Sequence, residues 1–431
     1  MKQFFHFSDR GTTYRQEILA GMTTFLSMAY ILVVNPIVLS EAGIDKGAVF
    51  TATAVSAIIG TLLIGLLANY PIGIAPSMGL NSFFTYSVVI GMGIPWQTAL
   101  TGVFISGVLF VLLSIFKIRE KIIEVIPQDL KYAIGSGIGF YIAFIGMKNS
   151  GIIQANEATF VSLGNIQSGP TLLAIFGFIV TVIFMVKNIR GGIFYGMVIT
   201  SIIGMLFGII EKPSAIVGAI PSLEPTFGVA LLQLDQIFSM ELLAVVFTFL
   251  FVAFFDTAGT LIAVANQAGI VKENKIPNAG RALLADASAS VAGSVLGTST
   301  TASFIESSAG IAAGGRTGFS AIVISGFFAI ALFFSPLLSV VTSEVTAPAL
   351  IIVGALMASE VRHIRWERLE IAIPAFVTII MMPLTYSVAT GIGLGFIIYP
   401  VTMLALKKHK EINPIVYVLA LIFIAYFAFV L

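Results

Sequence analysis

No cysteine occurs in the 431 residues, which excludes disulfides, a thiol nucleophile and cysteine-ligated metals. Charge is almost as scarce, because Asp, Glu, Lys and Arg make up 10% of the chain against about 25% in soluble globular domains. Histidine appears as His6, His363 and His409 only, each at the end of an apolar run, so a histidine proton relay within those runs is excluded. The 22 basic and 21 acidic residues nearly cancel, and nothing marks a nucleic-acid partner. Residues Met1 to Glu17 are polar and show neither a cleavable signal pattern nor a lipidation motif.

Hydrophobic residues fill 58% of the chain and mean hydropathy is +1.04. Apolar runs long enough to cross about 30 Å of hydrocarbon recur near residues 18–35, 48–68, 73–91, 95–116, 130–147, 170–187, 191–210, 241–267, 281–297, 298–313, 317–336, 345–359, 369–383 and 386–406. Their pattern is helical rather than alternating, which excludes an outer-membrane barrel. The expectation is an all-α integral membrane protein of about fourteen transmembrane segments. With a cytoplasmic N-terminus, only Lys46, Lys148 and Lys212 of the 22 basic residues fall outside. That bias supports the orientation and the span count together, and a multi-pass place in the cell membrane. Residues 414–431 form a further apolar run, read as an interfacial or partly inserted helix.

The two halves of the chain resemble each other. Gln97 to Val111 aligns without gaps on Arg316 to Ile330, sharing Thr98/Thr317 and the Ile-Ser-Gly of 105–107 and 324–326. Ala42-Gly43-Ile44 likewise matches Ala268-Gly269-Ile270, in a register that sets Tyr30 opposite Asp256. An odd number of segments per copy inverts the second copy, giving a 7+7 inverted repeat with residues 1–210 and 241–431 as its halves and 211–240 as an extracellular linker. Inverted repeats of this kind mark secondary transporters, whose substrate sits near the midplane where the repeats meet.

Two segments are interrupted. Tyr70 to Ser82 holds Pro71, Pro76, Gly73 and Gly79, which predicts a short extended stretch followed by a half-helix starting near Gly79. Gly297-Thr298-Ser299-Thr300-Thr301-Ala302-Ser303 predicts the same in the tenth segment, ahead of Glu306. Broken backbone at membrane depth is tolerated where it lines a cavity or is buried in protein, so the two breaks are expected to face one site, with half-helix N-termini toward it.

Two acids lie deep inside apolar runs, Asp256 and Glu306, and no basic residue lies at comparable depth. Such acids are expensive in hydrocarbon, at about 2.5–3.5 kcal/mol on insertion scales, and are therefore expected to face a cavity, a ligand or each other. An acid without a counter-ion is suited to binding and releasing a proton in each cycle. Asn81, at the start of the first half-helix, is either a cap or a ligand contact.

Ala75 to Phe84, Phe255-Asp256-Thr257-Ala258-Gly259-Thr260 and Gly297 to Ser307 together resemble the AzgA-type purine permeases of the nucleobase–cation symporter group. The resemblance runs from Gly11-Thr12 and Glu17-Ile18 through Ala48 to Ala54 and beyond. It implies a uracil-transporter-like fold with a core domain (residues 17–116 and 241–336) and a gate domain (128–210 and 337–431). It also implies proton-driven import of hypoxanthine, guanine or adenine, with no metal or cofactor. Carried over by motif, Asp256 and Glu306 hold the purine and couple the proton, with Asn81 nearby and backbone groups of the third and tenth segments, those of Thr301, Ala302 and Ser303 among them, completing the site; Tyr30 joins them through the repeat register that sets it opposite Asp256. Ser77 and Ser82 depart from the Gly and Ala usual in that family, which bears on the choice among purines. The bilayer is the other partner, and a homodimer is left open.

Two rivals are weighed. An anion carrier of the sulfate-permease architecture would use paired half-helix N-termini, but two uncompensated acids repel an anion. An intramembrane aspartyl protease, suggested by Pro348-Ala349-Leu350, needs a Gly-x-Gly-Asp element that the chain lacks.

Overall fold

The computed structural model describes residues 2–116, 126–234, 242–243, 245–247, 249–250, 253 and 277–429. The fold is helical. In chain order the helices are α1 Tyr14–Met28, α2 Ile31–Ser40, α3 Lys46–Leu67, α4 Met78–Ser82, α5 Trp96–Ile115, α6 Gln128–Asn149, α7 Gly169–Val186, α8 Gly192–Leu206, α9 Ala279–Leu296, α10 Ser307–Ala312, α11 Gly318–Ala331, α12 Ser343–Ala358, α13 Leu369–Thr385, α14 Val388–Ala405 and α15 Pro414–Phe429. Among the described residues, eight helical stretches are long and apolar enough to cross a membrane, and three shorter apolar helices accompany them. Most of the eighth segment, with Asp256, lies outside the described residues.

Helix starts follow the local chemistry. Thr13 and Gln16 close a capping box on α1, the Asp45 carboxylate accepts from Ala48 N at the head of α3, and Ser168 and Ser387 cap α7 and α14. Each side chain satisfies an N–H that the first turn leaves without a helical partner. The first segment is not continuous: α1 stops at Met28 and α2 starts at Ile31, with Tyr30 at the break.

Both predicted interruptions form. Ile74–Pro76 is an extended strand, β1, followed by α4 from Met78 and then by a wider π-helical stretch, Phe83–Gly91. Thr301–Ser303 is its counterpart β4, followed by α10. A second antiparallel pair, β2 Ile153–Asn156 with β3 Phe160–Leu163, forms a hairpin between α6 and α7 that the sequence reading did not contain.

Packing separates two groups of helices. α3 packs against α9 and α11, α5 against α9, and α1 against α10 and α11, while α6 packs against α12 and α13, α13 against α14, and α7 against α8 and α12. Small residues bring the backbones together, as membrane helices require. A Cβ on Gly139 of α6 would come within 2.6 Å of Gly354 O on α12, and one on Gly354 within 2.5 Å of Gly139 O. The described part of the linker lies along helix ends: Thr51 Oγ1 donates to Pro221 O, Gly228 N to Val295 O and Thr226 Oγ1 to Leu296 O. The C-terminal helix α15 packs on α14, with Phe423 stacked on Phe396.

Candidate functional site

β1 and β4 pair antiparallel, in the register Ile74↔Ser303, Ala75↔Ala302 and Pro76↔Thr301. Ser77 N to Thr300 O and Phe304 N to Gly73 O, both 2.9 Å, extend the ladder at each end. The outer edge of each strand is closed by a helix hydroxyl. Thr61 of α3 accepts from Ile74 N and donates to Ile74 O, both at 2.9 Å. Ser290 of α9 accepts from Thr301 N at 3.2 Å and reaches Thr301 O at 3.1 Å. A two-stranded ribbon at membrane depth would otherwise leave N–H and C=O groups without water to satisfy them. Gly297, at φ +102°, ends α9 and lets the chain turn into this ribbon, and a side chain there would strike Thr226.

Behind the ribbon the two half-helices are brief, α4 with five residues and α10 with six. Glu306 stands at the N-cap of α10. It is partly accessible, and the Tyr30 hydroxyl donates to its Oε1 at 2.6 Å. Phe304 leans on Tyr30, ring centroids 6.4 Å apart. The break between α1 and α2 and the lead-in to α10 therefore meet at one carboxylate.

Asn81 lies in the first turns of α4, fully buried. Its amide nitrogen donates to Asn35 Oδ1 on α2 at 2.5 Å, and Asn35 in turn donates to Thr53 Oγ1 at 2.7 Å and Thr298 Oγ1 at 2.9 Å. Asn81 Oδ1, Ser299 Oγ, Thr300 Oγ1 and Ser303 Oγ are buried without a hydrogen-bond partner among the described residues. Buried polar atoms left in this way are uncommon and ask for a ligand or water.

Of the expected site residues, Tyr30 and Glu306 touch, Thr301, Ala302 and Ser303 form β4, and Asn81 lies in α4, the short helix after β1. Asp256 is outside the described residues. Asn35, Thr53, Thr61, Ser290 and Thr298 were not singled out from the sequence as site residues. Asn35 carried a signal, a carboxamide beside Pro36 within an apolar run, whereas the hydroxyls resemble those that bond back to their own helix.

Comparison with known proteins agrees with this architecture. The guanine/hypoxanthine permease PbuG of Bacillus subtilis is 60% identical over 438 residues, covering all of both chains. The adenine permease AdeP of Escherichia coli is 41% identical and spans all of this chain and 96% of its own. Among solved structures, the transmembrane domain of the cyanobacterial bicarbonate transporter BicA superposes with a TM-score of 0.66 at 17% identity, covering 88% of this chain and 96% of that one. The murine anion transporter Slc26a9 gives 0.62 at 11% identity, covering 91% and 69%. At those identities the likeness concerns the fold alone, the 7+7 inverted repeat of membrane transporters. The profile described as the permease family matches residues 15–394, and the chain belongs to that family.

Proposed function

We propose that the chain is a secondary transporter that brings purine nucleobases, guanine and hypoxanthine foremost, into the cell together with protons. The observation that carries this is full-length identity of 60% to a guanine/hypoxanthine permease. The placement of Glu306 beside the paired strands supports it. The protein lies in the cell membrane with its N-terminus in the cytoplasm, as the basic residues suggest. The packing of the helices supports a core domain (17–116 and 241–336) that moves against a gate domain (128–210 and 337–431).

A purine offers N–H donors and ring acceptors in one plane. An ionised carboxylate can accept two such donors, and a protonated one can donate to a ring nitrogen, so Asp256 and Glu306 together suit both edges. The Tyr30 hydroxyl donates to one oxygen of Glu306. Proton coupling follows if purine binds well only to the protonated site, since linkage then makes uptake follow the proton gradient. Asn81, Thr301, Ala302 and Ser303 complete the recognition surface.

Uptake of radiolabelled hypoxanthine by cells without purine carriers of their own, expressing this chain, tests the reading. Guanine is expected to compete and uracil and sulfate are not, and an imposed inward proton gradient is expected to drive accumulation. Absence of purine uptake, or competition by sulfate alone, would replace this reading with that of an anion carrier.

A further inference from the structure

The cluster of Thr53, Asn35, Asn81 and Thr298 is completely buried, and chemistry sets the direction of its bonds. Thr53 gives its hydroxyl proton to Val49 O, 2.6 Å away and one turn earlier on α3. A hydroxyl carries a single proton, so toward Asn35 the same oxygen can only accept. Asn35 must therefore turn its NH2 toward Thr53 and Thr298, at 2.7 and 2.9 Å. Its carbonyl is left facing Asn81, which meets it with its own NH2 at 2.5 Å. Asn81 Oδ1 remains over, enclosed and without a hydrogen-bond partner among the described residues. The reverse setting fails, because an Asn35 carbonyl turned toward Thr53 would face an oxygen whose proton is already committed. Amide orientation is decided by such networks, and here the network has one consistent solution.

We infer that Thr53 and Asn35 are positioning residues that hold Asn81 as a hydrogen-bond acceptor, so that the site selects a ligand presenting an N–H at that point. The inference rests on the purine-transport reading and deepens it. Hypoxanthine and guanine carry a proton on N1 beside a carbonyl, whereas adenine carries a bare N1 beside an amino group. A site that can offer only a carbonyl at one position distinguishes these two edges. If Asn35 were released, Asn81 could turn over and offer its NH2 instead.

Thr53→Val keeps the volume and removes the hydroxyl, and Thr53→Ser keeps the hydroxyl. In hypoxanthine uptake, corrected for the amount of protein in the membrane, Thr53→Val is expected to raise the half-saturating concentration about tenfold, the equivalent of about 1.4 kcal/mol. Competition is the more telling readout: the preference between hypoxanthine and adenine is expected to narrow by about threefold or more, and Thr53→Ser to restore both affinity and ranking. Wild-type affinity and ranking in Thr53→Val overturn the inference. So does an equal loss toward every purine that serine fails to restore, which is the behaviour of a packing defect. Should Thr53→Val not reach the membrane, Thr298→Val removes the other acceptor of the Asn35 NH2 and is expected to shift the ranking in the same direction. An unchanged ranking there overturns the inference as well. A wild-type chain that takes up no purine defeats the proposed function itself, whereas these variant results bear on the relay alone.

Discussion

The Tyr30 hydroxyl donates to Glu306 Oε1 across 2.6 Å, joining residues 276 apart in the chain. One is at the break between α1 and α2, the other at the head of α10. The bond spans the two repeats and satisfies an acid that has no basic side chain paired with it among the described residues. Glu306→Gln keeps a carbonyl acceptor for the phenol, so the variant is expected to fold and to exchange bound purine. Without a titratable proton it is expected to lose concentrative uptake driven by a pH gradient. Unchanged accumulation would remove Glu306 from the coupling step. Tyr30→Phe deletes the hydrogen bond to the Glu306 carboxyl group, and a change in hypoxanthine affinity of about tenfold is expected.

Glu17 is buried, and its carboxylate gathers the head of α11, accepting from Arg316 N at 2.9 Å, Ser320 N at 3.2 Å, Thr317 N at 3.4 Å and Ser320 Oγ at 2.5 Å. An acid at a helix N-terminus satisfies unpaired N–H groups and complements the dipole. Glu17→Ala is expected to cost about 2–3 kcal/mol of stability, read as a lower melting temperature in detergent. Glu17→Gln should cost less, because an acceptor oxygen remains. Hypoxanthine affinity of the folded fraction is expected to stay at the wild-type level.

Thr61 and Ser290 perform the same task for opposite strands. Thr61→Val strips two hydrogen bonds from Ile74, and Ser290→Ala strips those to Thr301. Each leaves buried backbone groups unpaired, at about 1–3 kcal/mol per group. Both variants are expected to lose ligand affinity as the ribbon loosens, by similar factors, in a binding assay on purified protein. A loss confined to one of them would mean that the two strands are not equivalent supports.

At the other end of the first segment, Asn149 Nδ2 reaches Tyr86 Oη at 3.0 Å and Glu41 Oε1 at 3.4 Å, while Lys148 lies over the rings of Tyr386 at 5.3 Å and Tyr86 at 5.7 Å. Burial pushes the Glu41 carboxyl above its ordinary range, opposed by the Tyr86 hydrogen bond and the Lys148 charge. A group whose folded pKa is raised contributes stability at low pH that is lost as pH rises through that value. The contact between α2 and the end of α6 is therefore expected to weaken as pH climbs from the ordinary carboxylate range, about 4.3. Melting temperatures followed from about pH 4.5 to about pH 7 should show less dependence in Glu41→Gln than in the wild type. Identical profiles would dissociate Glu41 from the effect.

Pro71, Pro76 and the run from Gly297 to Ser303 announced both broken segments, because a ring without an N–H and consecutive β-branched residues disfavour helix whatever surrounds them. Glu306 was legible for a similar reason, since a lone acid in hydrocarbon is conspicuous from sequence. Tyr30 was reached only through the internal repeat. The relay through Asn35, Thr53 and Thr298 was not legible: a threonine that bonds back to its own helix is common, and only proximity in space shows that this commits its proton. The β2–β3 hairpin also escaped, being a short polar excursion between two apolar runs.

Composition and periodicity alone determined that this chain lives in a bilayer as helices, because solvation by lipid acts on every residue in its local window, and two internal sequence matches added that the helices form two inverted copies. Which hydroxyl closes which strand, and which way each carboxamide faces, was decided by the tertiary structure. Hydrogen bonds are directional and act over about 3 Å, so their meaning appears only after folding has brought distant partners such as Asn35 and Thr298 together.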